Sequence, residues 1–305
     1  MLQQAGDWRG ADSVWRGIVA DLAGQHRRDS LYATILGNLG TAESQLGLLR
    51  EGEERQRAGV AIWRSIPGDH SLSLVHALNN LGVSLGRQQR WAAAESLHRE
   101  AYGIARARLG RGHAVTVAAL NGLAGALDLQ DRLAEADTAY REVLEIRREL
   151  LGSEHPEYLF TLFNYAAFLL VQDRCVEAVT HAREVLEHRG TTLAESHPGV
   201  ASSRQTVGRC LDRLPGGDRD EAGRALLESL QLRRKYLPPT HWLVRVSESV
   251  YGEHLGLVGR FREAEPLLVG AHRGLVDQFG ADAPRAREAA ARLAALRQQA
   301  AVARR

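Results

Sequence analysis

Arg132-Leu133-Ala134-Glu135-Ala136, continued by Tyr140, Leu144, Ile146 and Leu150 and closed by Leu151-Gly152-Ser153-Glu154-His155-Pro156, reads as one complete helix and the corner that ends it. Its apolar residues recur at three and four, which is the period of a helix and not of a strand. Gly152 releases the helix through a left-handed cap, and Pro156 at a first helical position starts the next one. Outward from this segment the same opening returns as Arg90-Trp91-Ala92-Ala93-Ala94, Arg174-Cys175-Val176-Glu177-Ala178 and Arg260-Phe261-Arg262-Glu263-Ala264. The same close returns as Gly68-Asp69-His70, Gly110-Arg111-Gly112-His113, Glu195-Ser196-His197-Pro198 and Pro239-Thr240-His241.

A third signature, an apolar residue followed by Gly or Ala, falls at Leu39-Gly40, Leu81-Gly82, Leu123-Ala124, Tyr165-Ala166, Val207-Gly208, Tyr251-Gly252 and Leu293-Ala294, in steps of 42, 42, 42, 42, 44 and 42. Two helices therefore alternate within each step. A self-similar helix pair of this length buries its apolar stripe only against its neighbours, so the chain reads as one all-α array, a solenoid of stacked antiparallel pairs. The small residue marks a close approach of adjoining helices, where overpacking costs about 1–3 kcal/mol. Residues 1–28 form an incomplete first repeat, 29–282 six helix pairs, and 283–305 a capping helix opened by Pro284 and running to Val302. Asp7-Trp8-Arg9-Gly10-Ala11 resembles the start of a second helix, so the chain reads as beginning in mid-repeat. The two extra residues around Pro215-Gly216-Gly217-Asp218 lengthen one internal turn without breaking the stack.

No apolar run approaches the roughly 20 residues that span a bilayer, which argues against a membrane protein. The 39 basic and 37 acidic side chains are interspersed, which argues against a nucleic-acid partner. Cys175 and Cys210 make no CxxC pair, and Met1 to Gly10 is polar and carries an acidic residue, so the chain reads as cytoplasmic, with free thiols and no secretory leader. The Gly-rich loop, strand lysine, catalytic-loop aspartate and Asp-Phe-Gly of a kinase do not occur in order, nor do GxxxxGK[ST], HExxH or GxSxG. The expectation is a chain that is not an enzyme and needs no cofactor. His98-Arg99-Glu100 reads as an exposed helix face. His70, His113, His155, His197 and His241 fall one per corner, and helix pairs two packing distances of about 8–10 Å apart cannot place such ligands on one metal. They read as structural corner residues. His181 and His188 could share a face but lack a third ligand, and Cys175 reads as a small core residue.

Leu78-Asn79-Asn80-Leu81-Gly82, Gly259-Arg260-Phe261-Arg262-Glu263-Ala264-Glu265 and Leu151-Gly152-Ser153-Glu154-His155-Pro156 together resemble the tetratricopeptide repeat, in the long variety of kinesin light chains. The resemblance covers nearly the whole chain. It implies a right-handed superhelix whose first helices line a concave groove, acting as a scaffold for a protein or peptide segment. It also implies which positions face that groove, the candidate peptide-binding site being Asn79, Arg87, Asn121, Asp128, Phe160, Phe163, Gln205, Arg209, Asp212, Arg213, Ser249 and Glu253. Asn and Gln there could hold a peptide backbone by donating and accepting at once. Phe160 and Phe163 fit an anchor pocket and fit a core stripe equally well. Leu237-Pro238-Pro239-Thr240-His241-Trp242 and Glu263-Ala264-Glu265-Pro266-Leu267-Leu268 are also similar to repeats that follow the catalytic domain in some bacterial serine/threonine kinases. That likeness implies a docking or regulatory region as the alternative, and a structural spacer or self-association element is a third.

Overall fold

The computed structural model describes residues 8–25, 28–188 and 192–303, and among these fourteen α-helices and no strand occur. The helices fall into two compact units, residues 1–150 and 151–305. The first holds α1 (Trp8–Gly24), α2 (Ser30–Gln45), α3 (Leu49–Ser65), α4 (Ser71–Arg87), α5 (Trp91–Leu109), α6 (Ala114–Asp128) and α7 (Leu133–Leu151). The second holds α8 (Pro156–Val171), α9 (Cys175–Glu187), α10 (Pro198–Arg213), α11 (Arg219–Tyr236), α12 (Trp242–Leu257), α13 (Phe261–Phe279) and α14 (Pro284–Ala303). From α1 to α6 and from α8 to α14 consecutive helices pack on one another, and the first helices also touch one another, α2 with α4 and α4 with α6 in one unit, α8 with α10, α10 with α12 and α12 with α14 in the other. None of the described helices is long and apolar enough to cross a membrane.

The recurring signatures each have a mechanical role. At the corners, Gly110, Gly152 and Gly280 take φ of 86°, 84° and 85°, which an L side chain rarely adopts. At four corners a histidine is the N-cap. Nδ1 of His113, His155, His197 and His241 accepts the backbone N–H two residues on, at 3.3, 3.2, 3.1 and 3.2 Å, satisfying a donor the helix leaves orphaned. His70 departs from its counterparts, because Asp69 takes the capping role toward the Ser71 N–H at 3.1 Å while His70 Nε2 donates to the Pro67 carbonyl at 2.8 Å. The arginine that opens three of the second helices pairs with the glutamate three residues on, in Arg132–Glu135, Arg174–Glu177 and Arg260–Glu263 at 2.6–2.7 Å. Arg90 and Arg132 also reach back a whole repeat, to Glu53 and Glu95.

Core packing follows the same beat. In the first unit the fully buried Leu78, Leu81 and Leu85 of α4 meet Ala94, Ala101 and Ala105 of α5, with Ala119 and Ala126 of α6 completing the cluster. Each buried leucine contributes about 1.5–3 kcal/mol, and the facing alanines set how closely the helices lie. The small residue of each first helix permits the approach directly at Gly40, where a Cβ would stand 2.6 Å from the Gly52 carbonyl, and at Gly208, where it would stand 2.8 Å from that of Ala222. In the extended turn, Gly217 leaves no room for a Cβ, which would lie 2.0 Å from the Leu211 carbonyl, and Asp218 caps α11 by accepting the Asp220 and Glu221 N–H groups at 2.9 Å. The stack of α10 on α11 is preserved. Cys175 and Cys210 are both buried as small core residues.

Candidate functional site

On the first-helix face of the first unit, the side chains chosen from sequence are largely spent inward. Asn79 Oδ1 accepts from Nδ1 of His98 at 2.8 Å, and His98 is 3% exposed. The expectation of an exposed face at His98-Arg99-Glu100 therefore fails at its first residue, while Arg99 and Glu100 do face solvent. The reason lies on two other helices. Gly82 of α4 and Gly122 of α6 leave a slot into which the His98 ring fits, and a Cβ on either would stand 2.8 or 2.5 Å from the ring. Burial holds His98 down at about 4, so it is a neutral wedge at neutral pH. Asn79 in turn is half-buried and holds that wedge, where the resemblance implied a side chain facing the groove. Asn121 is half-buried and has polar partners of its own. Arg87 is exposed along its length but its guanidinium curls back onto the end of α2, donating to the Ser44 carbonyl at 3.0 Å and Gln45 Oε1 at 2.9 Å. Asp128, at the end of α6, is pushed up to about 6 by burial and by the nearby Asp131.

In the second unit, Phe160 is exposed and Phe163 half-buried, their rings edge to face at 5.2 Å. Phe163 also lies against His197 and the backbone of Gly199 at the start of α10. Gln205 accepts from Nη1 of Arg233 at 2.6 Å, and Asp212 holds the buried His254 at 3.0 Å and Arg219 at 2.7 Å. Arg213 at the end of α10 repeats the device of Arg87, donating to the Leu170 carbonyl of α8 at 3.0 Å with Asp173 at 3.5 Å. Cations at a helix C-terminus are favoured by the exposed carbonyls and the dipole. Ser249 is buried, and Arg292 of α14 covers it at 3.3 Å while pairing with Glu253 at 2.9 Å.

Arg209 differs from all of these. It is half-buried on α10, and among the described residues no hydrogen bond or ion pair engages its guanidinium. Burial lowers its basicity, with Arg292 and Arg213 adding repulsion against the weaker pull of Glu253 and Glu288. Val171 at the end of α8 is 75% exposed, and Leu257 at the end of α12 is also exposed, so the same first-helix face presents apolar surface as well as charge. The sequence reading did not find His98, His254 or Arg233, whose only signals were glycines on other helices or a basic run that looks solvated.

Residues 31–107 and 116–157 match family models described as tetratricopeptide repeat. These two segments carry tetratricopeptide repeats. The chain's sequence has no match among curated proteins. The crystal structure of kinesin-light-chain TPR-like repeats from Podosopora anserina is 22% identical, with a TM-score of 0.57 over 70% of this chain and 99% of that one. Aspartyl phosphate phosphatase F from Bacillus subtilis is 10% identical, with a TM-score of 0.64 over 89% of this chain and 65% of that one. NprR in complex with its cognate peptide NprX is 14% identical, with a TM-score of 0.60 over 95% of this chain and 82% of that one. At these identities the likeness is one of fold, an all-α repeat solenoid. The stretch Leu237–Trp242 is accounted for by the tetratricopeptide corner, since His241 caps α12 as its counterparts cap theirs.

Proposed function

We propose that this tetratricopeptide-repeat chain is a non-catalytic binding module that holds an extended peptide or protein segment on the first-helix face of its second unit, with an acidic ligand residue at Arg209. The observation that carries the reading is the unengaged, half-buried guanidinium of Arg209, set among side chains that are otherwise committed to their neighbours. A carboxylate arriving there would gain a charge-assisted hydrogen bond in a partly desolvated site and would relieve the repulsion from Arg213 and Arg292. Val171 and Leu257 would supply apolar contact on either side. NprR, with the same fold, binds a peptide, which supports the choice of ligand class. Two strongly perturbed titratable groups serve packing: His98 wedges helices and Arg233 ties them, which supports a role without chemistry. A cytoplasmic setting fits the two buried thiols.

A random peptide library displayed on phage and selected against the full chain tests the reading. Selected peptides should share an acidic position, and Arg209→Glu should weaken them at least tenfold while leaving the melting curve unchanged. Selected peptides without an acidic preference, or binding that survives Arg209→Glu and is lost on substitutions across the exposed faces of α11 and α13, would overturn it.

A further inference from the structure

Arg233, in the last turn of α11, is 6% exposed, yet every polar contact it makes is to a neutral acceptor. Nη1 donates to Gln205 Oε1 at 2.6 Å and Ser247 Oγ at 2.7 Å, with the Leu243 carbonyl at 3.4 Å. Nη2 has one long contact, to Ser202 Oγ at 3.4 Å, and Nε has none. Among the described residues no carboxylate pairs with this guanidinium, and burial lowers it to about 10. Buried arginines ordinarily carry a counter-ion, because an uncompensated charge in a low-dielectric interior is unfavourable. The side of the guanidinium that Nε and Nη2 form is the one whose two parallel N–H groups match both oxygens of a carboxylate, and here that side holds only the long Ser202 contact.

Arg233 also lines a cavity of about 70 Å³, whose other walls include Pro198, Ala201, Leu232, Leu237 and Leu243. Glu195 stands at the same cavity, but its carboxylate is already held by Lys235 Nζ at 3.0 Å and the Tyr236 hydroxyl at 3.1 Å. We propose that this cavity binds a carboxylate carried on a short aliphatic group, the two oxygens on Nε and Nη2 of Arg233 and the alkyl group against the apolar wall. Inorganic phosphate would meet the charge and leave that wall uncovered. The volume is under half that of a cavity of about 150 Å³ that takes up benzene, so the alkyl group is short and not a ring. A free short-chain acid and the last residue of a peptide share this chemistry. The site is separate from Arg209 and does not depend on the function proposed above.

Calorimetry and thermal denaturation of the full chain at constant ionic strength test it with isobutyrate, its neutral amide isobutyramide, chloride, and the tripeptide acetyl-Gly-Gly-Val as acid and as amide. Isobutyrate should bind saturably and raise the melting temperature, and isobutyramide and chloride should do neither. A free-acid tripeptide that binds tenfold tighter than isobutyrate assigns a peptide terminus as the source, and the opposite ranking assigns a free acid. Ser202→Leu fills the cavity from a half-exposed helix position and keeps Arg233, so it should weaken both acids at least tenfold. Arg233→Met should abolish their binding, and if that variant fails to fold, Ser202→Leu is decisive. The proposal falls if isobutyramide binds as well as isobutyrate, if Ser202→Leu binds undiminished, or if neither acid binds up to about 50 mM.

Discussion

Gly122→Ala is the sharpest perturbation of the fold, because its sign should depend on one residue of another helix. In an ordinary helix interior Ala is favoured over Gly by about 0.8–1.0 kcal/mol. Here the new Cβ would stand 2.5 Å from Cε1 and Nδ1 of His98, against a normal separation of about 3.5–4.0 Å. The ring cannot withdraw, since Gly82 closes its other side and Asn79 holds Nδ1. Overpacking of this kind costs about 1–3 kcal/mol, so Gly122→Ala should destabilise the protein by roughly 0–2 kcal/mol net. With His98→Ala the slot is empty, and the same substitution should stabilise by up to about 1 kcal/mol. Urea unfolding followed by far-ultraviolet circular dichroism on the four members of the cycle isolates the coupling, expected at about 1–3 kcal/mol, from the separate cost of removing the ring. An identical effect of Gly122→Ala in both backgrounds would refute the wedge.

His98 should also make stability depend on acid. The unfolded chain binds its proton below the ordinary value of 6.5 and the folded chain only near about 4, so stability is full above 6.5 and is lost as pH falls toward 4. The loss is about 1.4 kcal/mol per unit, roughly 3 kcal/mol in all, and His98→Gln should remove that part of the slope in urea midpoints; a ring that titrates near 6.5 by NMR would contradict the burial. His155→Ala deletes the cap on the Glu157 N–H and should cost about 1 kcal/mol, with faster hydrogen exchange confined to the first turn of α8. Gly217→Ala should cost at least about 1–3 kcal/mol, because the conflict is with backbone. Gly103→Ala, which meets open space on α5, should gain up to about 1 kcal/mol in the same denaturation assay.

The helix pairs, the corners and the long turn at Pro215 were legible because each is written in contiguous residues. His98 was not, since its environment is set by Gly82 sixteen residues before it and Gly122 twenty-four after, and a helix read singly cannot show what its neighbours leave open. Position rules indicated which residues lie on the first-helix face and could not foresee that Arg87 and Arg213 are long enough to bend back onto a carbonyl 43 residues earlier. Arg233-Arg234-Lys235 has the composition of a solvated last turn, and two of the three are solvated. Only tertiary burial distinguishes the third.

In each unit the helices pack against neighbours near in sequence, and the first helices also against the first helix of the next pair. Contacts so near in sequence need little loop closure, so each unit should assemble rapidly and tolerate partial opening. Opening then proceeds from wherever a helix has a neighbour on one side only, while α4, α10 and α12, each packed on both flanks, remain closed longest. Arg209 and Arg233's partners Gln205 and Ser202 all stand on α10, so the binding surfaces argued for above lie on a helix that would persist while others breathe.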